Sequence, residues 1–204
     1  MKNRRGLIIA VSAILLLGSP AWAQDLTIKG VKTTGSGCHA GTTSVTQADT
    51  NGDGFVDFFQ VAYGNFVAER PGKPVKSCQI KIDVEVPRNY QFGVFMVESR
   101  GYADIHATHQ VDLSTTYAYA AAAEHRVSSL LPGPYADEFG AAEQVSGPAW
   151  APCGQGFPIH VKYRIAIDKK PGTGSDAGAY SVVQVDRTSG LFTQTFHIQW
   201  QRCS

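Results

Sequence analysis

From Gln79 to Val86 the chain alternates without a break. Ile80, Ile82, Val84 and Val86 take one parity; Gln79, Lys81, Asp83 and Glu85 take the other. A side-chain period of two marks a strand with one buried face. The pattern recurs from Phe157 to Ile167, with Phe157, Ile159, Val161, Tyr163, Ile165 and Ile167 on one side and His160, Lys162 and Arg164 on the other. It recurs again near the end, where Phe196, Ile198 and Trp200 alternate with His197, Gln199 and Gln201. Residues 90–97 are apolar on both parities, which predicts a central strand covered on both sides. Further strands are expected at 26–32, 43–46, 58–68, 102–106, 115–122 and 180–186. The stretch 118–125 invites a helix, but Tyr117 and Tyr119 favour a strand. Gly35-Ser36-Gly37, Pro71-Gly72-Lys73-Pro74, Pro87-Arg88-Asn89, Pro132-Gly133-Pro134 and Pro171-Gly172 separate the runs as turns. About nine short strands so punctuated predict an all-β fold, an antiparallel β-sandwich of the immunoglobulin-like or jelly-roll-like kind.

The first residues follow another logic. Lys2, Arg4 and Arg5 precede an apolar run from Leu7 to Leu17, and Ala21-Trp22-Ala23 offers small residues where a signal peptidase reads. Residues 1–23 therefore read as a signal peptide cleaved after Ala23, too short to span a membrane. Residues 24–204 are expected to form one secreted or periplasmic domain, without membrane insertion. Removing Lys2, Arg4 and Arg5 takes the net charge from +1 to about −2, which gives no overall attraction to nucleic acid. Four cysteines remain: Cys38, Cys78, Cys153 and Cys203. In an exported chain they predict two disulfides, and spacing leaves all three pairings open. No two stand in a C-x-x-C arm, which disfavours zinc. Cys78 has the parity of the apolar face of its strand, so its sulfur is expected in the core.

Several short motifs occur in order: Gly35-Ser36-Gly37-Cys38, Asn65-Phe66-Val67-Ala68, Cys78-Gln79, Arg100-Gly101-Tyr102, Trp150-Ala151-Pro152-Cys153-Gly154, and His197-Ile198-Gln199-Trp200-Gln201-Arg202-Cys203. In this order and spacing the chain resembles a family of secreted proteins catalogued as domain of unknown function 4360. The resemblance implies a small exported β-rich protein with Cys38–Cys78 and Cys153–Cys203 as the disulfide pairs. It implies no activity. His39 after Cys38, and Glu98-Ser99 before Arg100, depart from the family pattern, and the acidic loop discussed next lies outside it.

That loop, Asp49-Thr-Asn-Gly-Asp-Gly-Phe-Val-Asp57, sets side-chain oxygens at near-alternate positions around two glycines. Asp49, Asn51, Asp53, the Phe55 carbonyl and Asp57 match ligand positions one, three, five, seven and nine of a calcium loop, with Gly54 at the sharp turn. Gln60 stands where a bidentate Glu is usual, which predicts weak, roughly millimolar affinity for one structural Ca2+. The competing reading is a plain turn, since Asn-Gly and Asp-Gly favour hairpins without metal.

Other candidates are weaker. His106 and His109 are three apart, which on a strand puts them on opposite faces, so two surface histidines are expected rather than a metal pair. Gly172 to Gly178 lacks the lysine and the helix of a phosphate loop. No G-x-S-x-G elbow occurs. A copper oxygenase needs an amino-terminal histidine, and Gln24 is the expected first mature residue. Carboxylates such as Glu98, Asp104, Glu124, Asp137 and Glu138 cannot be paired from sequence as a glycosidase requires. Trp150, between Pro148 and Pro152, and Tyr102 are the aromatic candidates for stacking on a ligand. The sequence thus predicts a non-catalytic secreted binding or structural protein whose partner is a glycan or a protein. The alternatives are a secreted hydrolase acting on polysaccharide and an inhibitor that docks on a protein partner.

Overall fold

The computed structural model describes residues 26–204 except 40, 121, 148 and 185–188. Residues 1–25, with the expected signal peptide and its cleavage point, lie outside the described residues. The strands in chain order are β1 (Thr27–Thr34), β2 (Thr43–Ala48), β3 (Phe58–Tyr63), β4 (Ala68–Arg70), β5 (Val75–Glu85), β6 (Tyr90–Ile105), β7 (His109–Tyr119), β8 (His125–Pro132), β9 (Tyr135–Gln144), β10 (Gly156–Lys169), β11 (Ser181–Gln184) and β12 (Phe192–Arg202). No helix occurs among the described residues, so none there is long and apolar enough to cross a membrane.

Two antiparallel sheets form the sandwich. The smaller runs β1-β5-β10-β7-β8. The larger runs β2-β3-β12-β6, with β9 on the other edge of β6 and the short β11-β4 pair beyond β12 on the same edge. The alternating runs behave as expected. Ile80, Ile82 and Val84 of β5 and Phe157, Ile159, Val161, Tyr163, Ile165 and Ile167 of β10 are all buried. Rings from both sheets meet in the middle: Tyr63 lies 6.1 Å and Phe66 5.4 Å from Tyr163, and Phe92 lies 5.4 Å from Tyr119.

The disulfides are Cys38–Cys78 and Cys153–Cys203. Cys78 is fully buried on the core face of β5, as its parity required. The first bridge fastens the crossover from β1 in one sheet to β2 in the other.

Four expectations need correction. Residues 90–97 are not covered on both faces. Phe92 and Val94 point inward, then Phe95 is the extra residue of a bulge opposite His197 and Ile198, and Val97, Ser99, Ala103 and Ile105 point inward after it. The bulge shifts the parity, which explains apolar residues on both registers, and it leaves Phe95 on the outside. The stretch 58–68 is two strands, broken at Gly64-Asn65. Residues 115–122 are the end of a longer strand that stops at Tyr119, followed by Ala120 at φ +50°. Finally, β8 and β9 were not expected.

Candidate functional site

The outer face of the larger sheet carries the densest set of ligand-capable side chains. Residues directly opposite in an antiparallel pair share a face, so the registers define rows. One row holds Gln199, Gly93 and Trp150. Trp150 faces out because Ala149 and Ala151 on either side pack on the core. Opposite it, Gly93 has no side chain to cover the indole. The next row holds Phe58, His197 and Met96, with the bulged Phe95 beside them. The His197 ring lies 6.0 Å from both Phe58 and Phe95. The third row holds Gln60, Thr195 and Glu98. The fourth adds Thr193 and Arg100.

The polar groups of this face are already tied together. Arg100 Nε and one guanidinium nitrogen reach Glu98 Oε1, each at 2.8 Å. His197 Nε2 stands 3.8 Å from Glu98 Oε2 and has no hydrogen-bond partner among the described residues. Gln60 Nε2 donates to Thr195 Oγ1 at 3.0 Å. The result is a strip of three aromatic side chains, Trp150, Phe95 and Phe58, beside a paired carboxylate and guanidinium, a bonded amide and the His197 imidazole. Such a strip can stack on the apolar face of a sugar ring while its neighbours hydrogen-bond the hydroxyls. Glu98 is the only carboxylate in these rows, so they do not hold the pair a glycosidase needs.

Tyr102, the other aromatic candidate, leaves this set. It is 6 % exposed and sits nine residues along β6 from Gly93, about 30 Å away at strand rise. The structure does not bring it to Trp150. Phe95 and Phe58 were missed as ligand candidates because their outward orientation depends on the bulge and on strand pairing.

The acidic loop abuts this sheet just before Phe58. Asp49 Oδ1 accepts the Gly52 N–H at 2.7 Å and its Oδ2 the Gly54 N–H at 2.8 Å. Asn51 Oδ1 accepts the Asp53 N–H, and Asp53 Oδ1 accepts the Phe55 N–H, both at 2.9 Å. Gly52 and Gly54 hold φ +76° and +87°, which L side chains rarely adopt, so both glycines serve the turn. Asp57 faces the incoming limb. Its Oδ2 accepts from the Thr50 N–H at 2.6 Å and from the Thr50 hydroxyl, and its Oδ1 from Asn51 Nδ2 at 3.2 Å. These bonds from Thr50 hold the Asp57 carboxyl below its ordinary value. Gln60 is not in the loop: it lies in β3, bonded to Thr195. Among the described residues, no group of three His, Cys, Asp or Glu side chains gathers closely enough to hold a metal ion. The loop is pinned to the sandwich by Phe55, 5.0 Å from the Tyr90 ring and 5.4 Å from Trp200, and by Trp200 Nε1 donating to the Val56 carbonyl at 2.8 Å.

A second polar cluster lies at the β11 end. His109 is not a surface residue: it is fully buried. Ser181 Oγ accepts the His106 N–H at 2.8 Å and sits 2.8 Å from His109 Nδ1. A hydroxyl proton donated to Nδ1 leaves the ring proton on Nε2, 3.6 Å from Asp176 Oδ2. Arg70 binds the same Asp176 oxygen at 3.0 Å. The residue types are those of a hydrolase triad, but Ser181 is fully buried and no substrate can reach its oxygen. The cluster instead fastens the 170–179 segment to β4 and β7.

Burial holds the His109 imidazole below its ordinary 6.5, against the pull of Asp176; Arg70 and His106 add to the lowering. An unfolded chain takes up this proton near pH 6.5, while the folded one resists it. Stability is therefore expected to fall as pH drops below about 6.5, ahead of the carboxylate range. Urea midpoints from pH 7.5 to 5 should show this slope, and His109→Gln should flatten it. An equal slope in both proteins would rule His109 out as its source.

Known proteins bear on this architecture as follows. A protein from Arthroderma benhamiae named "Uncharacterized secreted protein" is 26% identical over 186 residues, spanning 87% of this chain and 71% of that one. Among solved structures, the carbohydrate-binding module TmCBM61, in complex with β-1,4-galactotriose, is 12% identical, with a TM-score of 0.32 over 86% of this chain and 90% of that one. The enzymatically active domain of bacteriophage CBA120 tailspike protein 4 is 8% identical, with a TM-score of 0.22 over 84% of this chain and 19% of that one. Scores this low say nothing about a ligand. Residues 24–203, every strand of the sandwich included, match the family described as Domain of unknown function (DUF4360), and the chain belongs to that family.

Proposed function

We propose that this is a secreted, non-catalytic binding protein that presents the outer face of its larger sheet to a neutral polysaccharide. One observation carries the reading: Trp150, Phe95 and Phe58 lie on the outer sheet face with Gln199, Glu98, Arg100 and Gln60, Phe95 exposed and the other two rings half-buried. Rings supply the stacking area, and Glu98 with Arg100, and Gln60 with Thr195, are held in place by one another before any ligand arrives, which limits the entropy lost on binding. Secretion follows from the signal-like start, the two disulfides and the secreted relative.

The test is co-sedimentation of the oxidised protein with a panel of insoluble neutral polysaccharides. At least one is expected to retain it, and Trp150→Ala should weaken that retention by about tenfold or more, as loss of a central Trp anchor does. Retention by none, or retention indifferent to Trp150→Ala, would overturn the proposal. Release of soluble sugar during incubation would favour a hydrolase instead.

The Asp49–Asp57 loop is also proposed to take one structural calcium: the spacing of Asp49, Asn51, Asp53 and Asp57 supports it, and the ion would have to gather oxygens that here accept the N–H groups of Gly52, Asp53, Gly54 and Phe55. With calcium at tenfold over a millimolar Kd, stabilisation should be about 1.4 kcal/mol, a rise of a few degrees in the melting midpoint. Magnesium should not reproduce it, and Asp53→Ala should abolish it. An unchanged midpoint in calcium and in EDTA would leave the loop a plain turn.

A further inference from the structure

The outer face of the smaller sheet is unlike its counterpart. We infer that it is a docking surface for an acidic polysaccharide, a polymer carrying a carboxylate on its sugar units. Along β10, His160, Lys162 and Arg164 point outward from alternate positions, about 7 Å apart. The registers extend this line sideways. Lys32 pairs with Lys81 and Lys81 with His160, while Lys162 pairs with Thr116 and Thr116 with Arg126. The basic groups thus lie on four of the five strands, with Thr116 of β7 between them, roughly 20 Å from Lys32 to Arg126 at ordinary strand spacing.

Two features make this more than a solvated charged face. Lys81 is neutralised by Asp83 at 2.8 Å, but Lys32, Arg126, Lys162 and Arg164 have no ion-pair partner among the described residues. The outward carboxylates Asp112 and Asp168 lie beyond Arg164, toward the Lys169 end of β10, so the unpaired Lys32, Arg126, Lys162 and Arg164 create a local positive field around the middle of the face that the near-zero total charge conceals. A shallow groove of about 310 Å³ also crosses the face over β5, β10 and β7, lined by Gln79, Thr116, His160 and Lys162, with Glu124 as its one carboxylate.

The groups between the cations select the partner. Ser77, Gln79 and Thr116 occupy outward positions beside Lys162 and Arg164, while Ser114 in the same row is buried. They are hydroxyls and an amide, suited to sugar hydroxyls rather than to a bare phosphate chain. The outward register positions beside β10 carry no Phe, Tyr or Trp, and Tyr117 at the groove floor is buried and stacked on His125, so nucleobases would find no free ring to stack on. Carboxylates at intervals with hydroxyls between them are the pattern of a uronate polymer.

The probe is polygalacturonate in native affinity electrophoresis. Wild-type protein is expected to be retarded at low salt and released by about 0.3 M salt, where screening shortens the reach of surface charges. Lys162→Gln with Arg164→Gln should weaken the retardation by about tenfold, and Lys32→Gln with Arg126→Gln by less. Both pairs should keep the wild-type melting midpoint, since these side chains lie outside the core, and should still bind neutral polysaccharide if the larger sheet does so. No retardation, or retardation unchanged by Lys162→Gln with Arg164→Gln, would overturn the inference. Equal retardation by polyphosphate would overturn its assignment to carboxylates.

Discussion

Replacing Phe192 with alanine is expected to lower the stability of the oxidised protein by about 3–5 kcal/mol. Phe192 on β12 is fully buried, and its ring lies 5.2 Å from Tyr163, 5.5 Å from Phe66, and 6.0 Å from Tyr63 and Phe139. Tyr163 comes from the smaller sheet and the others from the larger one or its connections. The ring therefore spans the interface on which the sandwich depends. Its neighbours cannot collapse into the vacated space without moving strands, so both the transfer and the cavity costs apply. Gly101 of the Arg100-Gly101-Tyr102 motif has its role here. A Cβ at that position would lie 2.7 Å from the Phe192 ring and 2.9 Å from the Gln184 carbonyl. Urea unfolding of Phe192→Ala and Gly101→Val would check both sides of this fit, one under-packed and one over-packed. A loss below about 1 kcal/mol for Phe192→Ala would mean that the aromatic cluster does not bind the sheets together.

Removing the first disulfide should cost a comparable amount. Cys38 and Cys78 close a separation of 40 residues, for which the chain-entropy account gives about 4 kcal/mol. Both sulfurs are buried, so the double serine variant would also place two hydroxyls in an apolar setting. The double alanine variant separates these terms: it should lose the entropic part alone and stand above the serine variant. A midpoint unchanged from wild type would contradict the assignment of this bridge as the fastener of the β1–β2 crossover.

The parts of the fold legible in the sequence were those governed by local parity. β5, β10 and β12 alternate so cleanly that their buried faces could be named residue by residue, Cys78 included. What escaped notice depends on partners distant along the chain. β9 is rich in Ala, Gly and acidic residues and has little strand propensity of its own. It exists because β6 offers it a full edge from Met96 to Ile105. β8 meets it through a polar contact, with Ser129 Oγ donating to Glu143 at 2.6 Å, which no apolar period could announce. The bulge at Phe95 is invisible in sequence because it shows itself only as a slip against β12.

The candidate site was legible to the same degree. Trp150 could be singled out because a large ring on a Gly/Pro-rich loop has no obvious place in a core. Tyr102 could not be told apart from Trp150 in this way, because burial on a strand is decided by its neighbours. Phe95, Phe58 and His197 could be assembled only once the registers were known. His106 is exposed as expected, but His109 is not, for a related reason. A spacing of three placed His106 and His109 on opposite faces, but nothing local indicated that His109 would be enclosed by Ser181 and Asp176, more than sixty residues away.

Binding of a neutral polysaccharide on the outer face of the larger sheet, as proposed above, can be read from the backbone amides. The most direct measurement is a map of backbone amide shifts of the labelled mature domain, titrated with an oligosaccharide cut from whichever neutral polysaccharide retains it. Shifts are expected to concentrate at Gly93, Phe95, Met96, Glu98, Trp150 and Gln199. Shifts gathered instead on β5 and β10, or at the 170–179 segment, would contradict it.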